Sequence, residues 1–440
     1  MMQYLIDRNQ RKWAVESLNR YWSKGQKLIE KLAIPSVDLF TEDAKAPKLI
    51  EIAIPEWAED LAPDGYLLIP KAAVLDGNDP EWMRTDWIAA IIWYLDGVAE
   101  RFFEQKHGPI HSYSFRLKRW NPCMWERAWV NRIALFLRRW AARINDASED
   151  DLFGPLPSTK IVLTHDVDAI RKTFAIRCKQ AVFHAYNAGK SIITGRPLRG
   201  LKKFGKALSF FTSNDDYWCF DEILKLEEQY GVKSIFNFYS GCTGIMRHPR
   251  ALLLDPGYSV REERVQKMAK QLMEGGWIVG VHHSCMNYNN SALLKSEKNA
   301  IEDILNTDLE FARIHWLRFS WEHTWLSLNE AGIACDMTLG FNNRPGFRNG
   351  AALSVHPWSK SVNGELDIRI MPTVLMDSHL YDYCNLDDQA CIVEIEKWIE
   401  EIKAVCGEAS IIWHQHTLSD DYGWSVGFKQ LLKLGHNFFH

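Results

Sequence analysis

The stretch KIVLTHDVDAIRKT (160–173) runs through apolar and β-branched residues and then sets His165, Asp166 and Asp168 almost side by side. Ionisable groups at the end of a buried strand are costly to desolvate unless they are paired or ligated. A trio of them therefore points to a metal or to proton transfer. Side chains alternate along a strand, so Asp166 and Asp168 share one face and His165 takes the other. Two carboxylates on one face repel unless a cation, an arginine or a shared proton lies between them. Three further apolar runs close on ionisable groups: VHHSCMN (281–287), RFSWEH (318–323) and WHQHT (413–417). The adjacent His282 and His283 cannot both face one pocket from a regular strand, whereas His414 and His416 can. A turn cap by Asp166, or a packed and hydrogen-bonded histidine, would explain any one of these ends. Four together favour a hydrolytic or metal centre.

Such ends converge where strands alternate with helices, because the site of a parallel α/β fold lies at the carboxyl ends of its strands. After DLFGPLPSTK (151–160), which has the composition of a linker, strand-like runs recur at KIVLT (160–164), SIFNFYS (234–240), WIVGVH (277–282), IHWLRFS (314–320), DIRIMP (367–372) and ASIIWH (409–414). Helical stretches separate them; SVREERVQKMAKQLMEGG is bounded by a Ser259/Glu262 capping box and a glycine pair. Strands apolar on both faces predict a parallel sheet covered by helices. The expected fold class is α/β, a closed or nearly closed (β/α) barrel over residues 156–440, with an open doubly wound sheet as the alternative. Residues 1–155 are expected to form a separate, mainly helical α/β domain. Its strands would be KLIEIAIP and GYLLIP, and its helices TDWIAAIIWYLDGVAERFFEQ, behind a Thr85 cap, and MWERAWVNRIALFLRRWAARIN. No G-x-G-x-x-G or P-loop follows any strand, which argues against a dinucleotide or nucleoside-triphosphate site.

With 440 residues, two domains are the prior expectation. A net charge of −4 gives no global pull toward nucleic acid. Nineteen tryptophans suit a sugar-binding surface, but a large core uses them as well, and the core is the preferred explanation. Nine scattered cysteines without a C-x-x-C pair suit a reducing, cytoplasmic setting and not a disulfide framework or zinc ribbon. The opening MMQYLIDRNQRKW carries Asp7 and Arg8 where a signal peptide needs its apolar stretch, and WIAAIIWYL is too short to span a bilayer. One segment stands apart: between Ala169 and Asn214 there is no acidic residue, while ten are basic, from Arg171 to Lys206. It reads as a solvated helical insertion, or as a lip for an anionic partner such as a phosphorylated or lipid-linked sugar, with peripheral membrane contact through 171–206.

On these residues the chain resembles the polysaccharide deacetylase family (carbohydrate esterase family 4). Members have a distorted (β/α) barrel and remove N-acetyl groups from sugars with a divalent metal. The family's T-F-D-D-G motif is similar to Thr164–Asp168, and its H-[S/T]-x-x-H motif resembles GWIVGVHHSCM from Gly276. Its arginine motif resembles LRFSW with Arg318, and its final L-H-D strand resembles IIWHQ with His414. A branch with T-H-D-V-D, an extra N-terminal domain and a TLGFNNRPGFRNG-like stretch (338–350) is the nearest in pattern.

The resemblance implies roles residue by residue. Asp166 would be the general base, kept ionised by Arg318, and His414 the general acid. Asp168 and His282 would bind the metal, most simply zinc, with Val167 standing where the usual second aspartate falls. The family's second metal histidine falls on Met286, leaving His283, Asn287 and His323 as equal candidates for the third ligand, with His283 taken forward. Gln415 replaces the aspartate that follows the final histidine, so a partner for His414 must come from elsewhere. Arg344 and Arg348 in the Asn-rich loop, with Trp413 and His416 beside the acid, are assigned to the substrate; as an alternative, the loop's Gly, Asn and Pro are ordinary turn formers. The expected function is a metal-dependent hydrolase acting on an N-acetylated sugar, of the kind found in bacterial surface polysaccharide. The alternatives are hydrolysis of another non-peptide amide, a cation-free Asp/His hydrolase, and a carbohydrate-binding or regulatory protein that has lost catalysis with its missing ligand.

Overall fold

The computed structural model describes residues 2–42, 45–193, 195, 197–241 and 254–439. Two short antiparallel hairpins occupy the N-terminal part, β1 (Met2–Leu5) with β2 (Leu39–Glu42) and β3 (Leu49–Ala53) with β4 (Tyr66–Pro70). The main sheet holds β5 (Lys160–Asp166), β6 (Ile235–Tyr239), β7 (Ile278–His283), β8 (Phe311–Ile314) and β9 (Cys335–Asp336). After a two-residue hairpin, β10 (Trp358–Ser359) with β11 (Gly364–Glu365), it is completed by β12 (Arg369–Ile370), β13 (Thr373–Met376) and β14 (Glu408–Ile412). Its eight strands are all parallel, in the order β12-β9-β8-β7-β6-β5-β14-β13.

A single arginine shows that this sheet curls. In a flat sheet β8 and β14, four places apart, would be separated by about 19 Å at ~4.8 Å per strand. Yet the Arg313 guanidinium on β8 donates to Thr164 Oγ1 on β5 (2.7 Å), Thr373 Oγ1 on β13 (3.2 Å) and Ser410 Oγ on β14 (3.3 Å). The strands therefore wrap around an interior that one side chain can span. The end strands β12 and β13 do not pair with each other. The fold is a distorted (β/α) barrel left open at that seam, not an open doubly wound sheet.

Two strand assignments slide. IHWLRFS is not a strand: β8 ends at Ile314, and His315–Leu317 form a tight turn in which Trp316 and Leu317 take left-handed φ values of 63° and 47°. DIRIMP keeps only the two-residue β12, and the principal strand nearby is TVLM, β13. Asp86, not Thr85, caps the helix Trp87–Leu95, accepting from Ala89 N at 2.9 Å; Gly97 (φ 58°) breaks it from Val98–His107, where a Cβ would strike the Trp321 ring.

Residues before β5 pack tightly on the barrel. One continuous apolar core runs from Tyr4 to Leu432. Arg132 and Glu401 form a buried ion pair across it (2.7 Å), and Asn131 exchanges hydrogen bonds with the backbone of Ala352. The linker-like stretch is pinned as well: Ser148 caps the short helix Glu149–Phe153, whose Phe153 is buried. Fifteen of the nineteen tryptophans are buried, so the aromatic excess serves packing.

The acid-free segment forms two helices, Phe174–Ile193 and Pro197–Thr212, packed as a hairpin. At its root Arg171 pairs with Glu262 (2.6 Å), Lys172 pairs with Asp421, and Arg177 donates to Asn214 Oδ1 (2.7 Å). Arg196 and the side chains of Lys179, Lys190, Arg199, Lys202, Lys203 and Lys206 lie outside the described residues. Among the described residues no helix is long and apolar enough to cross a membrane, and the eight described cysteines are free thiols.

Candidate metal and acid–base centre

Asp166 is the last residue of β5, and its Oδ1 accepts from Asn237 Nδ2 on β6 (2.8 Å) and from Arg313 Nη1 on β8 (2.9 Å). Gly280, paired in register with Asn237, makes room for that amide, since a Cβ there would lie 2.4 Å from Asn237 Oδ1. Arg313 is fully buried, and its Nε donates to the Met337 carbonyl (2.8 Å), so each guanidinium nitrogen has a partner. Burial would raise the Asp166 carboxyl; Arg313, then His282 and His414, outweigh it and hold the group below the usual carboxylate range. Removing one partner of a buried pair leaves an uncompensated charge. Arg313→Met should therefore cost about 3–5 kcal/mol, read as a lower urea midpoint at unchanged slope.

Beside Asp166, three donors face one another. His282 Nε2 lies 3.1 Å from Asp168 Oδ1, and His315 Nε2 lies 3.5 Å from the same oxygen. The ligand atoms of Asp168, His282 and His315 all fall within 4.8 Å of one another. Each imidazole is oriented from behind: His282 Nδ1 donates to the Arg313 carbonyl (3.1 Å), and His315 Nδ1 to Asp255 Oδ1 (3.2 Å). Asp255 is itself held by Ser284 and by the Cys285 backbone N–H (3.1 Å). This pattern, two imidazoles fixed through their far nitrogens plus a partly exposed carboxylate, fits a divalent cation with open positions. The electrostatics agree. Burial would raise Asp168, but His315 and His282 hold it well below the usual range. Burial would lower His315, but Asp168 and Asp255 draw it up to about 9.

The left-handed turn after His315 is braced from the N-terminal part, where Ser112 Oγ donates to the Trp316 carbonyl (2.7 Å). Two consecutive non-glycine residues in this region are unfavourable and persist where surroundings dictate them. Here they aim His315 back at Asp168.

Opposite, His414 follows β14, and Asp377 follows β13. Asp377 accepts from His414 Nδ1 (2.8 Å), from the His414 backbone N–H (2.8 Å) and from Thr417 Oγ1 (3.1 Å). His414 Nε2 is left 3.5 Å from Asp168 Oδ2. Burial would lower His414, but Asp377 first, then Asp168 and Asp166, raise it to about 10. Asp166, Asp168, His282, His315 and His414 open into one cavity of about 410 Å³, walled by Phe183, Leu317, Met376, Tyr422 and Trp424 and also reached by His416.

Several residues assigned from the sequence stand elsewhere. Arg318 does not reach Asp166; it donates to Met286 Sδ (3.4 Å) and lies over the Tyr288 ring. His283 turns to the other side of β7, buried against Glu297 (2.8 Å), which also receives Asn287 Nδ2 (2.9 Å). His323 lines a separate cavity with Arg101 and Glu104. Arg348 is buried against Glu100 (2.8 Å), and Arg344 lies over Trp125 near Glu126. Trp413 points into the core against Phe428, as strand alternation requires of a neighbour of His414. His165 is tied to Glu227 and the Trp413 carbonyl. The residues that sequence reasoning missed are Arg313, His315, Asp377 and Asp255.

Comparison with protein families and with curated proteins returns no match. Solved structures are similar in part. A protein assigned as a polysaccharide deacetylase from Mycobacterium smegmatis is 13% identical, covering 64% of this chain and 86% of that one, with a TM-score of 0.39. A polysaccharide deacetylase from Bacillus cereus is 12% identical over 64% of this chain and 90% of that one, at 0.30. A mutant of a CE4-family pseudoenzyme with restored activity is 12% identical over 64% of each chain, at 0.31. At these values the likenesses carry no conclusion about chemistry, which rests on the side chains above.

Proposed function

We propose that the chain is a metal-dependent hydrolase that removes an acetyl group from an N-acetylated sugar. The observation that supports this is the opposed tuning of two groups across one donor set: Asp166 held ionised by Arg313, and His414 held protonated by Asp377. Groups whose pKa values are pushed apart in one cavity are suited to be the base and the acid of one reaction. The nitrogen-rich donor set of His282, His315 and Asp168 suits zinc, which when bound supplies a Lewis acid and lowers the pKa of water at the site to roughly 7. Asp166 takes the proton of the attacking water. His414 gives its Nε2 proton to the departing nitrogen as the C–N bond breaks, releasing acetate and the free amine. Trp424 and Tyr383 line the cavity and give it the aromatic wall that suits a sugar. Free thiols at the buried Cys285, Cys335 and Cys391 suit a reducing, cytoplasmic setting.

Met286 stands where the second metal histidine of the resembled family falls, which would suit a protein that has lost catalysis; His315 offers a third donor from the turn after β8. The test is acetate release from N-acetylated oligosaccharides by the purified protein, before and after chelation. Activity lost on chelation and restored by zinc is expected; full activity in the chelated protein would favour a cation-free mechanism.

His414 works as an acid while protonated, so activity should fall as pH rises through its pKa. Asp377→Asn removes the largest charge raising that pKa, so this limb should move to lower pH by about one unit or more, with kcat down about 10- to 100-fold. The pH profile of kcat, at saturating zinc, checks both.

A further inference from the structure

The helical hairpin 174–212 exposes an apolar face. Among the described residues, ten of the twenty-one exposed large apolar side chains fall between Phe174 and Phe211. On the second helix they form one row, Leu198, Leu201, Phe204, Leu208 and Phe211, with exposures of 83, 65, 62, 64 and 41%. Steps of three or four residues keep that row on a single face. Beside and behind that row Ala207 and Phe210 are buried. Ile193, 86% exposed, extends the apolar surface at the end of the first helix. The root of the hairpin is fixed at Asp421, which takes Lys172, Ser213 and Tyr217.

We propose that this hairpin docks the protein on an anionic membrane surface, with the Leu198–Phe211 row seated at the boundary between head groups and acyl chains. Charge selects that occupant. The same 46 residues, 169–214, hold ten Lys and Arg and no Asp or Glu. A helix with an apolar row and a basic composition lies in the plane of an anionic bilayer. A second copy is a poorer partner, because a two-fold contact would set two basic, acid-free segments against each other. Nucleic acid would leave the leucine row in water. Docking also has a consequence for the centre: Val182, Phe183 and Tyr186 of the first helix line the catalytic cavity, so its mouth is carried to head-group level.

The test is co-sedimentation of the full chain with phosphatidylcholine vesicles, with and without phosphatidylglycerol. Binding should be about tenfold or more tighter to the anionic vesicles and should weaken with salt. The triple variant Leu201→Ser, Phe204→Ser, Leu208→Ser should lose about 100-fold or more in partitioning, while its thermal midpoint stays that of the unsubstituted chain because these side chains are exposed. Failure to bind either vesicle would overturn the proposal, as would undiminished binding by the triple variant. A dimer in sedimentation velocity that the triple variant dissolves, without vesicle binding, would assign the face to a second copy instead. None of these readouts depends on hydrolase activity.

Discussion

If the proposed centre is right, replacing His315 by alanine should strip the protein of stoichiometric zinc and lower acetate release by about 1,000-fold or more, because two donors do not make a stable hydrolytic site. The paired control is His283→Ala. His283 lies next to the proposed ligand His282 in sequence and is one of the three candidates that the sequence offers for the third ligand. Its imidazole is nevertheless bonded to Glu297 on the opposite side of β7. That variant should keep its metal and its kcat and lose stability, since the buried Glu297 would lose its histidine and keep only Asn287 and the Ser284 backbone N–H. Metal content by mass spectrometry and acetate release, measured on both variants, give a crossed result that a general loss of folding cannot imitate.

Asp166→Asn makes the complementary prediction. Asn keeps the shape of the side chain and can still accept from Arg313, but it cannot take a proton from water. Zinc content should stay near stoichiometric while kcat falls by about 100- to 10,000-fold, the range for removal of a general base. Stability should fall too, because Arg313 loses its buried counter-charge. Loss of zinc together with activity would instead make Asp166 a ligand. Unchanged kcat would remove it from the chemistry altogether.

Which residues were legible in the sequence follows from where strands stop. β5, β7 and β14 are apolar runs that end where polar residues begin, so Asp166, Asp168, His282 and His414 could be read directly from their ends. β8 defeats that approach. Its sequence FARI carries a charge inside the strand, and the apolar Trp316 and Leu317 follow after the strand has stopped, in left-handed turn geometry. Hydrophobic pattern therefore favours IHWLRFS, which moves the strand end past His315 and presents Arg318 in place of Arg313. Nothing local reports that Arg313 is tolerated because hydroxyls on β5, β13 and β14 and the Met337 carbonyl after β9 converge on it inside the barrel. Asp377 was hidden in the same way, because DIRIMP drew attention from TVLMD. The arginines of the Asn-rich loop show the reverse: Arg344 and Arg348 have the chemistry of substrate ligands and serve as packing groups against Trp125 and Glu100.

The most direct test of the centre is an anomalous difference map from crystals grown with zinc. One peak is expected at about 2.0–2.2 Å from an Asp168 oxygen and from Nε2 of both His282 and His315, with His414 and Asp166 outside the coordination shell. A peak bound by His283, or no peak near Asp168, would contradict the assignment of this centre.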